Sequence, residues 1–181
     1  MNRLEKYSEL LAAGSRKTLE DKLSDAHSKI HILAKDELRV VEVDHGLFEE
    51  KQGSRKCDFM VIGTRSANTH MIELKGRHIE EAFEQIADTL DTLLNDEELK
   101  SSVVSRNTLD AYIVSPGRMA VPKGIANKEK MLAKKLARGS KERPRDILEL
   151  IHFVKVVNSQ KAVSVNGRQI VISGRAPLEL S

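Results

Sequence analysis

The sequence predicts an α/β fold: a mixed central β-sheet flanked by helices. Three observations lead there. Two apolar runs, Phe59–Ile62 and Met71–Leu74, flank a polar segment rich in turn formers, residues 63–68, and read as a β-hairpin. An apolar stripe at helical spacing follows, Ile79, Ala82, Phe83, Ile86, Leu90, Leu93 and Leu94. Beyond it lies another apolar run, Ala111–Val114, so the helix is expected to cross over between strands.

In chain order, Leu4, Tyr7, Leu10 and Leu11 predict a helix over residues 3–13 that stops at Gly14. Leu19, Leu23, Ala26, Ile30 and Leu33 recur at steps of four and three, which predicts a long amphipathic helix over 15–38. Residues 39–43 switch to β-branched character and predict a strand that can run on toward Glu50. Gln52-Gly-Ser-Arg55 is expected to turn into the strand beginning at Cys57. The second long helix is expected over 77–95 and the fourth strand over 111–114, closed by Ser115-Pro116-Gly117. A basic helix is expected over 127–137. Residues 147–157 fit helix or strand, and Asn166-Gly167 signals a C-terminal hairpin between 162–165 and 169–172. The chain, 1–181, reads as one domain: a core over 15–116, a basic segment over 117–145 and a strand and hairpin region over 146–181.

Net charge is +3, from 30 basic and 27 acidic side chains, and says little by itself. Its distribution says more. Residues 117–145 hold ten Lys/Arg against two Glu, which leaves the rest of the chain negative by five. Such asymmetry suits a polyanion-binding surface, and Arg118, Lys123, Lys128, Lys134, Lys135 and Arg138 are the residues expected to meet phosphates. A solvated basic loop and helix is the plainer alternative. With no Trp and few aromatics, the chain is poorly equipped to stack unpaired bases. One cysteine, Cys57, allows no intrachain disulfide, and no apolar run approaches a membrane span; a cytoplasmic location is expected.

The chemistry concentrates between Cys57 and Gly76. Asp58 opens one apolar strand and Glu73 lies inside the next, with Lys75 two positions on and therefore on the same face. Two carboxylates and a lysine on one face of a buried sheet are costly unless paired or metal-bound. Glu-x-Lys alone is uninformative, because Glu20/Lys22, Glu49/Lys51 and Glu98/Lys100 repeat it. Only Glu73/Lys75 stands in an apolar strand directly after another strand headed by an aspartate. Asp58 as a turn cap and Glu73/Lys75 as a surface pair is the bland alternative.

Asp58, then Glu73-Leu74-Lys75 after fourteen intervening residues, within helix–strand–strand–strand–helix–strand order, resembles the PD-(D/E)XK nuclease superfamily. Cys57 stands where that motif has proline, and is expected to pack as a small apolar residue. The resemblance implies a restriction-endonuclease-like core and a metal-dependent endonuclease that hydrolyses DNA phosphodiesters by a metal-activated water. Asp58, Glu73 and the Leu74 carbonyl would hold Mg²⁺, with Mn²⁺ as a substitute, and Lys75 would orient or deprotonate water or offset charge on the phosphate.

The family often adds an acid from the helix before the first strand. Among Glu20, Asp21, Asp25 and Glu37, Glu20 is expected, since an antiparallel return brings the start of that helix near Asp58. Gln85 could project toward the site from the second helix. In one branch of the family a glutamine there precedes a tyrosine by four residues, but here that position is Thr89. His27 and His31, four apart, lack the glutamate of a zinc-protease motif, and phosphate loops and nucleophile elbows are absent. RNA offers the same phosphate chemistry. The competing expectation is an inactive nucleic-acid- or protein-binding module on the same fold. A homodimer or larger nuclease assembly is the expected state for paired cuts.

Overall fold

The computed structural model describes residues 2–21, 28–48, 56–75, 78–103, 107–116, 124–157 and 164–181. Strand β1 (Ser8–Leu11) follows one helical turn, α1 (Arg3–Lys6). Strands β2 (Arg16–Glu20), β3 (Lys29–Ala34), β4 (Leu38–Glu42), β5 (Phe59–Gly63) and β6 (Thr69–Leu74) precede the helices α2 (Ile79–Leu94) and α3 (Glu97–Val103). Strand β7 (Leu109–Pro116), helix α4 (Ala126–Gly139) and strands β8 (Ile151–Val156), β9 (Ser164–Asn166), β10 (Gln169–Ile172) and β11 (Leu178–Leu180) complete the order.

Eight strands form one mixed sheet in the order β1-β4-β5-β6-β7-β8-β10-β9. Strand β5 runs antiparallel to β4 and to β6, the latter through the short turn over residues 64–68, and β7 runs parallel to β6 because α2 carries the chain back. Side chains alternate between the faces. Met60, Ile62, Met71 and Ile113 face α2, α3 and α4, whereas Val61, Ile72, Tyr112 and Val114 face a second sheet, β11-β3-β2. The central sheet is thus covered on both faces, by helices on one and strands on the other.

That second cover is the main correction to the reading from sequence. The helix expected over 15–38 is absent from its described parts. Arg16–Glu20 and Lys29–Ala34 are antiparallel strands, with Leu19 opposite Ile30. Burial along β3 alternates, with Ile30, Ile32 and Ala34 inside and His31 and Leu33 half-buried, so the operating period is two. Leu23 and Ala26, which completed the helical spacing, lie outside the described residues, as does His27. Residues 3–13 likewise divide into a single helical turn and the edge strand β1, which leaves Leu10 exposed.

Elsewhere the pattern holds. Helix α2 buries Ile79, Ala82, Phe83, Ile86, Leu90 and Leu93, with Glu80 and Glu81 in its first turn, where acids complement the helix dipole. Fully burying side chains of that size is worth about 1.5–3 kcal/mol each, so the stripe ties α2 to the sheet. Residues 147–157 turn out to be both things, a 3₁₀ turn at Ile147–Leu150 and then β8. The C-terminal hairpin forms with Gly167 at φ 57°, and its two-residue loop, Gly167-Arg168, lies one position beyond that expected. Strand β4 stops at Glu42 in an irregular turn over Val43–Leu47, where His45 adopts φ 58°; the turn expected at 52–55 lies outside the described residues. Among the described residues, no helix is long and apolar enough to cross a membrane.

Candidate functional site

Asp58 and Glu73 meet where β5 starts and β6 ends. The β5–β6 register pairs Phe59 with Ile72, so one step further Asp58 stands opposite Glu73. There the ladder gives way to side chains. The Leu74 N–H donates to Asp58 Oδ2 at 2.7 Å, and the Asp58 N–H donates to Glu73 Oε2 at 3.2 Å. Because N–H and C=O of one strand residue leave by the same edge, the Leu74 carbonyl leaves β6 on the Asp58 side. Lys75 Nζ lies 3.6 Å from Glu73 Oε1 and 3.4 Å from Glu81 Oε2 at the start of α2. The three residues singled out in sequence are therefore neighbours.

Their electrostatics are unfavourable to two free carboxylates. Glu73 is 1% exposed, and burial, reinforced by the Asp58 charge and opposed by Lys75, pushes its carboxyl well above the usual range. Burial likewise pushes Asp58 up to about 7, against the Leu74 N–H and with help from the Asp21 charge. One ammonium serves the buried Glu73 and the half-buried Asp58, and a cation between them would relieve the deficit.

Asp58 lines a cavity of about 230 Å³ with Glu20, Asp21, Glu42, Asp44, His45 and Phe59. Glu20 therefore reaches the site as expected, but from strand β2 rather than from a helix. Asp21 and Asp44 are the acids whose charges bear on Asp58, and Asp44 was missed. It precedes His45, whose left-handed backbone lies in the irregular turn after β4, and no sequence period marks such a turn. Glu37 lies at the other end of the sheet, near Thr64, and Asp25 is outside the described residues. A larger cavity of about 450 Å³ adjoins, sharing Glu20, Glu42 and Phe59 and extending past Tyr7 and Lys17 between the two sheets.

Helix α2 holds the chain just before Asp58. Thr89 Oγ1 accepts the Cys57 N–H at 2.8 Å, Gln85 Nε2 donates to the Lys56 carbonyl at 3.1 Å, and Lys56 Nζ donates to the Asp88 carbonyl at 3.3 Å. Gln85 thus touches backbone two residues from Asp58, with its Oε1 buried and unpartnered. Cys57 is fully buried in the core beneath α2, and burial raises its thiol.

The basic segment divides. Lys128 pairs with Glu84 at 2.7 Å and Lys135 with Asp91 at 2.5 Å, which neutralises both against α2. Lys134 and Arg138 are exposed on α4, while Arg118 and Lys123 lie outside the described residues. His31 bonds Thr18 Oγ1 at 2.8 Å across the small sheet. Among the described residues, no three His, Cys, Asp or Glu side chains gather as a ready-made metal cage. An ion here would rest on Asp58 and Glu73, the Leu74 carbonyl and water. That hard-oxygen set suits Mg²⁺, which takes one or two carboxylates and keeps several waters. No family model, curated protein or solved structure matches the chain.

Proposed function

We propose that the chain is a metal-dependent nuclease with a restriction-endonuclease-like core, and that DNA phosphodiesters are its substrate. The observation that carries this reading is the Asp58–Glu73 pair: Glu73 is buried against the Asp58 N–H, half-buried Asp58 lines the cavity, and Lys75 lies beside Glu73. Structural carboxylates at this depth are normally neutralised one for one, so a second acid beside a single lysine marks a place for a cation. The strand order supports it as well: three antiparallel strands, a crossover helix and a parallel fourth.

Asp58 and Glu73 would hold Mg²⁺ together with the Leu74 carbonyl. The ion would lower the pKa of water and offset charge on the phosphate. Lys75, held between Glu73 and Glu81, directs its ammonium to the same end of the sheet, where it orients water or offsets the same charge. Glu20, Asp21 and Asp44 surround the approach to Asp58 and favour a cation over a bare phosphate there.

Supercoiled, linear, branched and single-stranded DNA, and RNA, incubated with and without Mg²⁺, test the reading. Cleavage is expected only with the ion, and a folded Asp58→Ala or Lys75→Ala protein should lose it. If Asp58→Ala cuts as fast as the wild type, the assignment is wrong.

A further inference from the structure

We infer that the solvent face of α4 and the segment after it dock the phosphate backbone of a nucleic-acid duplex, apart from the acids at Asp58. Lys130, Lys134 and Arg138 form an exposed stripe at steps of four, continued by exposed Lys141, Arg143 and Arg145. Within 130–145 only Glu142 opposes them, since Lys135 is already paired with Asp91. Two other charges of this layer are matched by neighbouring elements: exposed Lys128 with Glu80 and Glu84, and buried Glu129 with Arg168. The outward six form no ion pair among the described residues. Like charges four apart on a helix are destabilising by about 0.2–0.5 kcal/mol per pair, so the stripe costs stability unless a polyanion covers it.

The form of the surface selects the polyanion. Residues 124–149 contain no aromatic side chain, which leaves nothing to stack on splayed bases. Cations on a rigid helix instead match regularly spaced phosphates on a stiff rod. The surface also differs in place from the acids. Ser140, at the end of α4, bonds Leu109 at the start of β7, whereas Glu73 lies level with Ile113 further along that strand. A duplex held by the stripe would present a phosphate to Asp58 and Glu73 only by extending beyond it. The choice of a nucleic acid rests on the nuclease reading above; the position of the surface does not.

Fluorescence anisotropy with 30-bp DNA and RNA duplexes, in EDTA over a range of salt, tests this on the full chain. Replacing Lys130, Lys134, Arg138 and Arg143 with Ala should weaken duplex binding at least tenfold at 150 mM salt. The log–log salt slope should flatten by about 0.9 for each phosphate the variant no longer neutralises. Lys29→Ala/Lys35→Ala, on the far sheet, should leave both unchanged. An unchanged slope in the fourfold variant overturns the inference, as does binding only to phosphatidylglycerol vesicles or no duplex binding by the wild type. A wild type that needs the stripe to bind but never cuts sinks the nuclease reading and keeps the docking surface. A wild type that cuts and binds equally well without the stripe does the reverse.

Discussion

The Thr89 hydroxyl accepts the backbone N–H of Cys57 at 2.8 Å while donating to the Gln85 carbonyl at 2.7 Å. Both groups are buried, so α2 fixes the residue before Asp58 by a bond that water cannot replace. Thr89→Val keeps the shape and strands the Cys57 N–H, which should cost about 1–3 kcal/mol in urea unfolding. Thr89→Ser should recover most of it. Equal stability of the Val and Ser variants would show that the bond contributes nothing.

Glu73 should separate stability from activity. It is buried with its carboxyl pushed upward, so Glu73→Gln removes an unfavourable charge at nearly constant volume. At pH 8 without metal, the variant should unfold at the same or higher urea concentration than the wild type, yet show no metal-dependent cleavage. A variant that is both less stable and fully active would contradict the site.

Metal should stabilise the folded chain through the same two acids. With Mn²⁺ at one hundred times its Kd, stability should rise by about 2.7 kcal/mol. Calorimetry should show the binding abolished in Glu73→Gln and in Asp58→Asn. Equal Mn²⁺ binding by all three proteins would place any ion elsewhere.

A second buried network sets a pH dependence. His70 Nδ1 lies 2.6 Å from Asp110 Oδ1 and its Nε2 lies 3.0 Å from the Ser181 carbonyl oxygen; Tyr112 and His152 also reach Asp110. Burial lowers the affinity of His70 for a proton, but the Asp110 carboxylate and the two hydrogen bonds outweigh it and raise the pKa. Burial works against the Asp110 charge too, yet the two histidines hold its carboxyl well below the usual range. The His70 contribution is therefore complete below the ordinary histidine value, about 6.5, and fades as pH rises through the higher folded value. The Asp110 contribution is present above about 4 and fades as pH falls through the lower folded value. Asp58 and Glu73, whose values are raised, also lose stability as pH rises, so the difference between wild type and His70→Gln is the quantity to follow. It should be largest between pH 4.5 and 6, on the order of 1–3 kcal/mol, and shrink toward pH 9. A flat difference would mean that His70 stays neutral.

The chain by itself determined the elements whose period survives in isolation. Helix α2 keeps its apolar stripe at helical spacing from Ile79 to Leu94, and the short runs at Phe59 and Met71 are set off as strands by the turn formers between them. Asp58, Glu73 and Lys75 were legible for the same reason: a charge inside an apolar strand conflicts with its surroundings, and the conflict is visible without coordinates. Tertiary structure decided what local pattern left degenerate. Leu19 and Ile30 lie on a helical period and on two paired strands alike, and the strands prevail because Ile32 and Ala34 also find the sheet face opposite Val61 and Ile72. Tertiary structure also decided which charges remain free. Lys128 and Lys134 look alike in sequence, and both are exposed, but α2 brings acids to Lys128 while Lys134 forms no ion pair among the described residues. Asp21 and Asp44 came to Asp58 by tertiary contacts too, Asp21 from the end of β2 in the second sheet and Asp44 from the turn after β4, the strand paired with β5.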